Sequence, residues 1–383
     1  MSGSVLTPRS GSVRTADPAN RVREAAELAA RHAAAADQAR RLPGEVVAGL
    51  VAAGFARHFV PHRWGGRAGG FVELLDTVST VGEGCASAAW IAAVVAGAAR
   101  MGVYLPDEGQ RELWAAGPDT VIAGALSPSG YATPDAGGWR LTGQWPLVSG
   151  VDFADWTLVC ASVPRGDHAV ARFFAVPRRD YRVMDTWFNV GLRATGSNTL
   201  VADGVFVPEH RSVARGAIRR GLAVGSVAPC HTAALRTING TLFAAPVLGA
   251  ARAAVRAWSA RLAGRSAQGS LAPRDNPLVR GVLARAEGEI ESAALLLRRV
   301  ARAGDDGPVD AAEAARAPRD CALAADQLVD AVERLFRSAG CGAQAQDDPL
   351  QRIWRDVHCA VSHVALRFDT AGGAYGGQLL GAG

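Results

Sequence analysis

Three stretches of this 383-residue chain gather the side chains that chemistry needs. The first is Trp145-Pro146-Leu147-Val148-Ser149-Gly150, where a serine follows an apolar run and precedes a glycine. A strand turning into a loop explains the pattern, with Ser as a turn former. A strand end that presents a hydroxyl to a ligand explains it equally, because scaffolds place functional groups on the loops that leave them. The second stretch is Gly191-Leu192-Arg193-Ala194-Thr195-Gly196-Ser197-Asn198, whose donors suit either a structural loop or a cradle for an anion or a heterocycle. The third is Arg352-Ile353-Trp354-Arg355-Asp356-Val357-His358, with His363 beyond it. On a helix running through 349–370, Asp356 and His363 share one face, while His358 points about 140° away from His363. Arg352 and Asp356, at i and i+4, make a pair worth a few tenths of a kcal/mol. Each histidine serves either packing or proton transfer, since imidazole titrates near neutrality.

Other chemistries lack their residues. No GxGxxG, GxxxxGK[ST] or GxSxG occurs, so neither a common nucleotide loop nor a nucleophile elbow is indicated. The eight histidines lack HExxH spacing and the six cysteines form no CxxC pair, so no metal site and no disulfide framework are expected. A reducing cytoplasm is the corresponding location. All 41 basic residues are Arg, scattered among 36 acidic ones for a net charge of +5, which is no nucleic-acid footprint. No window approaches about 18 uninterrupted apolar residues, so no membrane span is expected. The first 20 residues lack the apolar core of a secretory signal.

The elements that must position the three stretches follow from texture. With 49% hydrophobic and 20% charged residues the chain is of globular type. Residues 1–19 read as a disordered tail. Residues 20–118 read as helical, with an Ala-rich segment at 22–41, a restart at Pro43, and an all-round apolar helix at 87–103. Residues 119–225 carry short β-branched and aromatic runs at 120–126, 139–148, 156–163, 169–175, 182–185 and 199–207, the pattern of a barrel or sandwich. Residues 226–383 hold four long helical segments, at 232–262, 277–303, 311–338 and 349–370, as in an antiparallel four-helix bundle. The stretch 264–276 reads as an exposed loop.

This α–β–α order, with its motifs, resembles the acyl-CoA dehydrogenase superfamily. Val60-Pro61-His62-Arg63-Trp64-Gly65-Gly66 looks like that family's early Gly-Gly turn. The segment 143–150 followed by Ala154-Asp155-Trp156 looks like its flavin-contacting strand pair. The segment 191–197 followed by Val205-Phe206-Val207-Pro208 looks like the end of its β domain, and Arg355-Asp356 like its Arg-Asp pair. Trp187 with 191–198, and 349–357 with His363, are similar to the two-component (group D) flavin-dependent monooxygenases. The resemblance implies a separate NAD(P)H-dependent flavin reductase that supplies reduced FMN or FAD. It implies reaction with O2 through a C4a-hydroperoxyflavin, one oxygen atom passing to substrate, and a homotetramer in which the 340–346 loop reaches a neighbouring subunit's flavin.

The resemblance also assigns residues. It places Ser149 near flavin N5 and His363 near the peroxide as the catalytic pair. Ser127, Trp145, Leu147, Val148, Arg193, Thr195, Gly196, Ser197, Gly340 and Gly342 join Ser149 in holding the cofactor. Trp90, Val94, Ala98, His358 and His363 line the substrate pocket. An acyl-CoA dehydrogenase or oxidase is the alternative, but it needs a carboxylate base. No Glu follows Glu333, and the first bundle helix offers Arg252, Arg256 and Arg261 at the other usual place. Loss of general-base catalysis is worth about 10²–10⁴-fold, which favours the oxygenase. An N- or S-oxygenase of the same fold, and a flavin-free scaffold, complete the alternatives. Several phenol hydroxylases of this kind carry a His on the helix matching 87–101. Here Ala96-Gly97-Ala98-Ala99 is small throughout, which points to a roomy pocket and a bulky polycyclic natural-product intermediate as substrate.

Overall fold

Helix α1 (Pro18–Ala39) starts where its residues dictate: the Asp17 carboxylate accepts from the Ala19 N–H and Pro18 fills the first turn. It therefore takes in the last two residues assigned to the tail. The computed structural model describes residues 17–263, 272 and 275–381, so the expectations for residues 1–16 and for most of the 264–276 loop lie outside the described residues. Val22, Ala25, Ala29, Ala33 and Ala36 form the buried stripe of α1 at helical spacing. Helices α2 (Gly44–Ala52), α3 (Phe71–Gly82), α4 (Ala86–Gly102) and α5 (Asp107–Leu113) complete the N-terminal layer. α4 is buried nearly all round, as its composition requires.

The β region forms one seven-stranded mixed sheet. Its strands are β1 (Ile122–Asp135), β2 (Gly138–Val148), β3 (Trp156–Arg165), β4 (His168–Pro177), β5 (Arg182–Met184), β6 (Asn198–Pro208) and β7 (Ser212–Ala214). Their order is β5-β6-β2-β1-β3-β4-β7, with β1 and β3 parallel and every other pair antiparallel. β1 runs nine residues past its expected end at Leu126, through a register shift between Ala125 and Gly130. Such a bulge leaves intervening residues unpaired, which accommodates the Ser-Pro-Ser-Gly composition that reads as a turn.

Short helices α6 (Arg215–Arg220) and α7 (Pro229–Thr232) lead to the bundle of α8 (Leu235–Ala263), α9 (Pro277–Asp305), α10 (Ala311–Ser338) and α11 (Pro349–Val361), with α12 (Phe368–Leu379) after it. By length and composition α8 could cross a membrane, but 83% of its apolar window is buried inside the protein. The last expected helix does not run to 370. It stops at Val361, because the Ser362 hydroxyl bonds back to the Cys359 carbonyl and His363 caps a new turn. Side-chain bonds of this local kind compete with helix continuation. His363 therefore leaves the helix that carries Asp356 and His358 and, contrary to expectation, does not share a helical face with Asp356.

The bundle and the N-terminal layer meet where α3 crosses α8. A Cβ at Gly82 would lie 2.8 Å from the Pro246 carbonyl, and a Cβ at Gly249 would overlap the Ser79 carbonyl. Only two glycines let the backbones come this close. The Asp305 carboxylate of α9 adds a second tie by accepting from Phe71 and Val72 N–H at the start of α3. Gly249→Ala should lower stability by about 1–3 kcal/mol, the usual cost of overpacking against backbone that cannot rotate away. Urea unfolding will show this as a lower midpoint at constant slope; an unchanged midpoint would contradict the tight crossing.

Candidate active site

Ser149 sits where β2 ends. The chain there leaves the ladder through a register shift between Trp145 and Val148, with Leu147 in the left-handed region at φ 61°. That kink leaves Ser149 half-buried and turned toward α4 and the 191–198 loop. The Trp90 indole Nε1–H of α4 donates to Ser149 Oγ at 3.0 Å. Ser149 Oγ and Ser197 Oγ lie 2.7 Å apart, Ser197 Oγ and Thr195 Oγ1 lie 2.7 Å apart, and Thr195 Oγ1 donates to the Leu192 carbonyl at 2.8 Å. The Gly150 N–H donates to the Thr195 carbonyl at 3.3 Å and joins the two loops along their backbones.

An aromatic group closes the other side. His363 stacks on Phe243 of α8 with ring centroids 3.7 Å apart, and meets Trp90 edge-on at 5.8 Å; Trp90 and Phe243 are 5.1 Å apart. The Ala365 N–H donates to His363 Nδ1 at 3.2 Å, so Nδ1 is an acceptor and the neutral ring carries its proton on Nε2. Burial pushes the His363 pKa down to about 4. At neutral pH this side chain is an uncharged N–H donor.

The loop that brings Thr195 and Ser197 is held by α11. The Asp356 carboxylate accepts from the Leu192 N–H at 2.7 Å, and Leu192 adopts left-handed φ 48°. A non-glycine residue pays about 1–2 kcal/mol for that conformation. Its N–H bond to Asp356, and its carbonyl bonds from Thr195 and from Trp187 Nε1 at 2.9 Å, hold it there. Gly191 lies so close to α11 that a Cβ would overlap the Arg355 carbonyl. Arg355 pairs with Asp37 of α1 at 2.9 Å and also donates to the Val190 carbonyl. Burial raises the Asp356 pKa to about 7, partly opposed by the Leu192 N–H.

Of the residues assigned from sequence, the structure brings together Trp90, Ser149, Thr195, Ser197 and His363. Val94 lies one turn further along α4, half-buried against the helical core. Others point elsewhere. Trp145 is fully buried in the sheet core with its indole N–H on the Cys160 carbonyl, and Val148 shares that core. Leu147 and Ser127 are exposed. Arg193 donates to the Asp37 carbonyl at the end of α1. A Cβ at Gly196 would lie 2.9 Å from Asp152 Oδ2. Gly340 and Gly342 form the turn between α10 and α11, Gly342 against the Arg261 guanidinium.

His358 lies 3.3 Å from Glu333 and packs on Trp354, apart from the site. Ala98 belongs to a second cluster beneath the sheet, and a Cβ at Gly97 would meet Leu242 at 2.8 Å. The small residues of α4 thus serve close packing and do not report the size of the substrate. Phe243 was missed in sequence, although it is the single Phe of the Ala-rich α8. Among the described residues, no carboxylate hydrogen-bonds to Trp90, Ser149 or His363.

An aromatic cluster that carries one neutral N–H donor and one hydroxyl suits a planar heterocycle whose reactive edge needs few, fixed polar partners. The comparisons agree. The acyl-CoA dehydrogenase N-terminal domain matches residues 19–116, and the acyl-CoA dehydrogenase C-terminal domain matches residues 241–368. The flavin-dependent monooxygenase oxygenase subunit HsaA of Mycobacterium tuberculosis is 33% identical over 354 residues, 87% of each chain. This chain belongs to the acyl-CoA dehydrogenase superfamily, in its flavin-dependent monooxygenase branch. The oxygenase component of the FADH2-dependent resorcinol hydroxylase of a Rhizobium species is 30% identical over 381 residues, covering 94% of this chain and 93% of the relative. The structure of XiaF from a Streptomyces species, in complex with FADH2 and glycerol, matches with TM-score 0.89 at 28% identity over 95% of both chains.

The buried ionisable groups in and around this candidate site give a stability prediction. His363, and buried His231 on α7, have pKa values near 4 against 6.5 unfolded, both lowered first by burial, so the stability they contribute is lost as pH falls from 6.5 toward 4. Asp356 acts oppositely. Its folded pKa lies above the unfolded value, so protonation relieves its burial as pH falls through about 7. Asp356→Asn keeps an Oδ1 acceptor for Leu192 and removes the charge. Between pH 8 and pH 5 the wild type should gain on the order of 2 kcal/mol relative to this variant in urea unfolding. Parallel pH profiles would contradict the assignment.

Proposed function

We propose that this protein is the oxygenase component of a two-component flavin-dependent monooxygenase that hydroxylates an aromatic substrate. The observation that carries the reading is the Trp90–Ser149–His363–Phe243 group: an aromatic cluster with a hydroxyl and a neutral N–H donor and, among the described residues, no carboxylate base bonded to it. The site fits a reduced FMN or FAD, with Ser149 holding the ring edge and Trp90, Phe243 and His363 walling it from water. Bound reduced flavin supplies two electrons to O2, so that one oxygen atom enters the substrate and the other leaves as water. His363 Nε2–H donates a hydrogen bond into the pocket and stays uncharged at neutral pH. Thioester dehydrogenation lacks its proton acceptor here.

A separate reductase supplies the reduced flavin, as befits relatives that are an oxygenase subunit and an oxygenase component. We assign to it a transient encounter and NAD(P)H as reductant. A homotetramer is supported by the exposed Phe368, Leu379 and Leu380 of the C-terminal segment, which a subunit contact would cover. A cytoplasmic location is supported by six cysteines that are all free thiols.

With a flavin reductase, NADH and ¹⁸O₂, a panel of phenols should yield a hydroxylated product that carries one ¹⁸O atom, dependent on both proteins. Desaturation of an acyl thioester, or product without label, would overturn the assignment. His363→Ala should lower product formed per reduced flavin consumed by at least about tenfold, within the range of a single proton-donating group. His358→Ala should leave that yield within about twofold, since only His363 reaches the pocket. A normal yield from His363→Ala would remove its role.

A further inference from the structure

The hydroxyl chain from Trp90 to Leu192 has a direction. An indole nitrogen can only donate and a carbonyl can only accept. Between these two ends stand three hydroxyls, Ser149, Ser197 and Thr195, each with one hydrogen. Four gaps and four hydrogens allow one arrangement. The Thr195 hydrogen goes to the Leu192 carbonyl, so Thr195 accepts from Ser197. Ser197 has then spent its hydrogen and accepts from Ser149. The Ser149 hydrogen therefore points inward, while its oxygen takes the Trp90 N–H. Ser149 keeps one lone pair and no hydrogen for anything else.

The ends do not shift. Leu192 is fixed by the Asp356 carboxylate on its N–H, and its carbonyl also accepts the Thr195 backbone N–H at 3.1 Å and Trp187 Nε1 at 2.9 Å. Thr195 is 1% exposed and Ser197 is 4% exposed, so water does not substitute for either partner. Buried hydroxyls that lose a partner keep the full desolvation penalty, which makes reversal of the chain costly.

We propose that this chain makes Ser149 an acceptor toward the pocket and thereby selects the redox state of the bound flavin, with Ser197 and Thr195 as the positioning residues. The inference rests on the reading above that the N5 edge of a flavin meets Ser149. Reduced flavin presents N5–H, a donor that matches the free lone pair. Oxidised flavin presents N5 as an acceptor, and two lone pairs then face each other. The oxygenase component needs to take reduced flavin and release oxidised flavin, and this geometry separates the two without a charged group.

The test compares dissociation constants for oxidised FAD and for FADH2, the latter under anaerobic conditions, in the wild type and three variants. Thr195→Val keeps the shape and removes the acceptor for Ser197, which can then donate to Ser149 and free the Ser149 hydrogen. Ser197→Ala frees the same hydrogen directly. Both should lower the ratio of oxidised to reduced dissociation constants by about tenfold, the effect of restoring or losing one hydrogen bond at a buried site. The midpoint potential of the bound flavin should fall by about 30 mV for that tenfold change. Thr195→Ser keeps the hydroxyl and should retain the wild-type ratio. A merely structural role would weaken both redox states together, and an unchanged ratio in Thr195→Val and Ser197→Ala would overturn the proposal. A wild type that binds neither flavin would instead overturn the functional reading on which it rests.

Discussion

Much of this site hangs from one buried hydrogen bond, the Leu192 N–H on the Asp356 carboxylate. Leu192 holds a left-handed backbone that an L side chain resists, and it keeps it because both of its peptide groups are engaged. From its carbonyl the chain of hydroxyls runs outward through Thr195 and Ser197 to Ser149. A relaxed Leu192 would take that anchor away and leave Ser149 free to turn. Asp356 can do this because it is fixed on α11, itself packed between α8 and α10 in the bundle. Arg355, its neighbour, ties the same helix to Asp37 of α1. The C-terminal and N-terminal layers thus grip the 191–198 loop from both sides.

The candidate site draws on each part of the α–β–α order. Ser149 requires a strand end, Trp90 requires a helix buried on all faces, and Phe243 and His363 come from the first bundle helix and the turn after α11. Here the hydroxyl, the indole donor and the imidazole meet where three layers pack, and the glycine crossing of α3 on α8 sets the spacing of the two helical ones. The cost of burying polar groups there is offset by satisfying nearly every hydrogen within the chain itself.

How much of this was legible in sequence depended on whether a residue's role was local. Ser149, Thr195 and Ser197 stand in polar stretches next to apolar runs, and such stretches signal a strand end or a binding loop by themselves. Trp90 and His363 came from resemblance; neither has a local signature. Phe243 looks like any core residue of α8 until the fold brings His363 onto it. Trp145 shows the reverse: its side chain faces the sheet interior, because alternation along β2 decides its direction. The helix end at Val361 was hidden because Ser362 and His363 are tolerated in helices and act as caps only when the tertiary structure lets them. The small residues of α4 misled for a related reason: smallness signals either space or close packing, and only the partner helix tells which.

The central claim is that this pocket shelters reduced flavin while it reacts with oxygen. Stopped-flow absorbance tests it most directly, with the protein first mixed anaerobically with FADH2 or FMNH2 and then with oxygenated buffer. The account predicts a long-lived species absorbing in the near ultraviolet that precedes the return of oxidised flavin, shortened in Ser149→Ala. Immediate return of oxidised flavin, at the rate seen without protein, would contradict it.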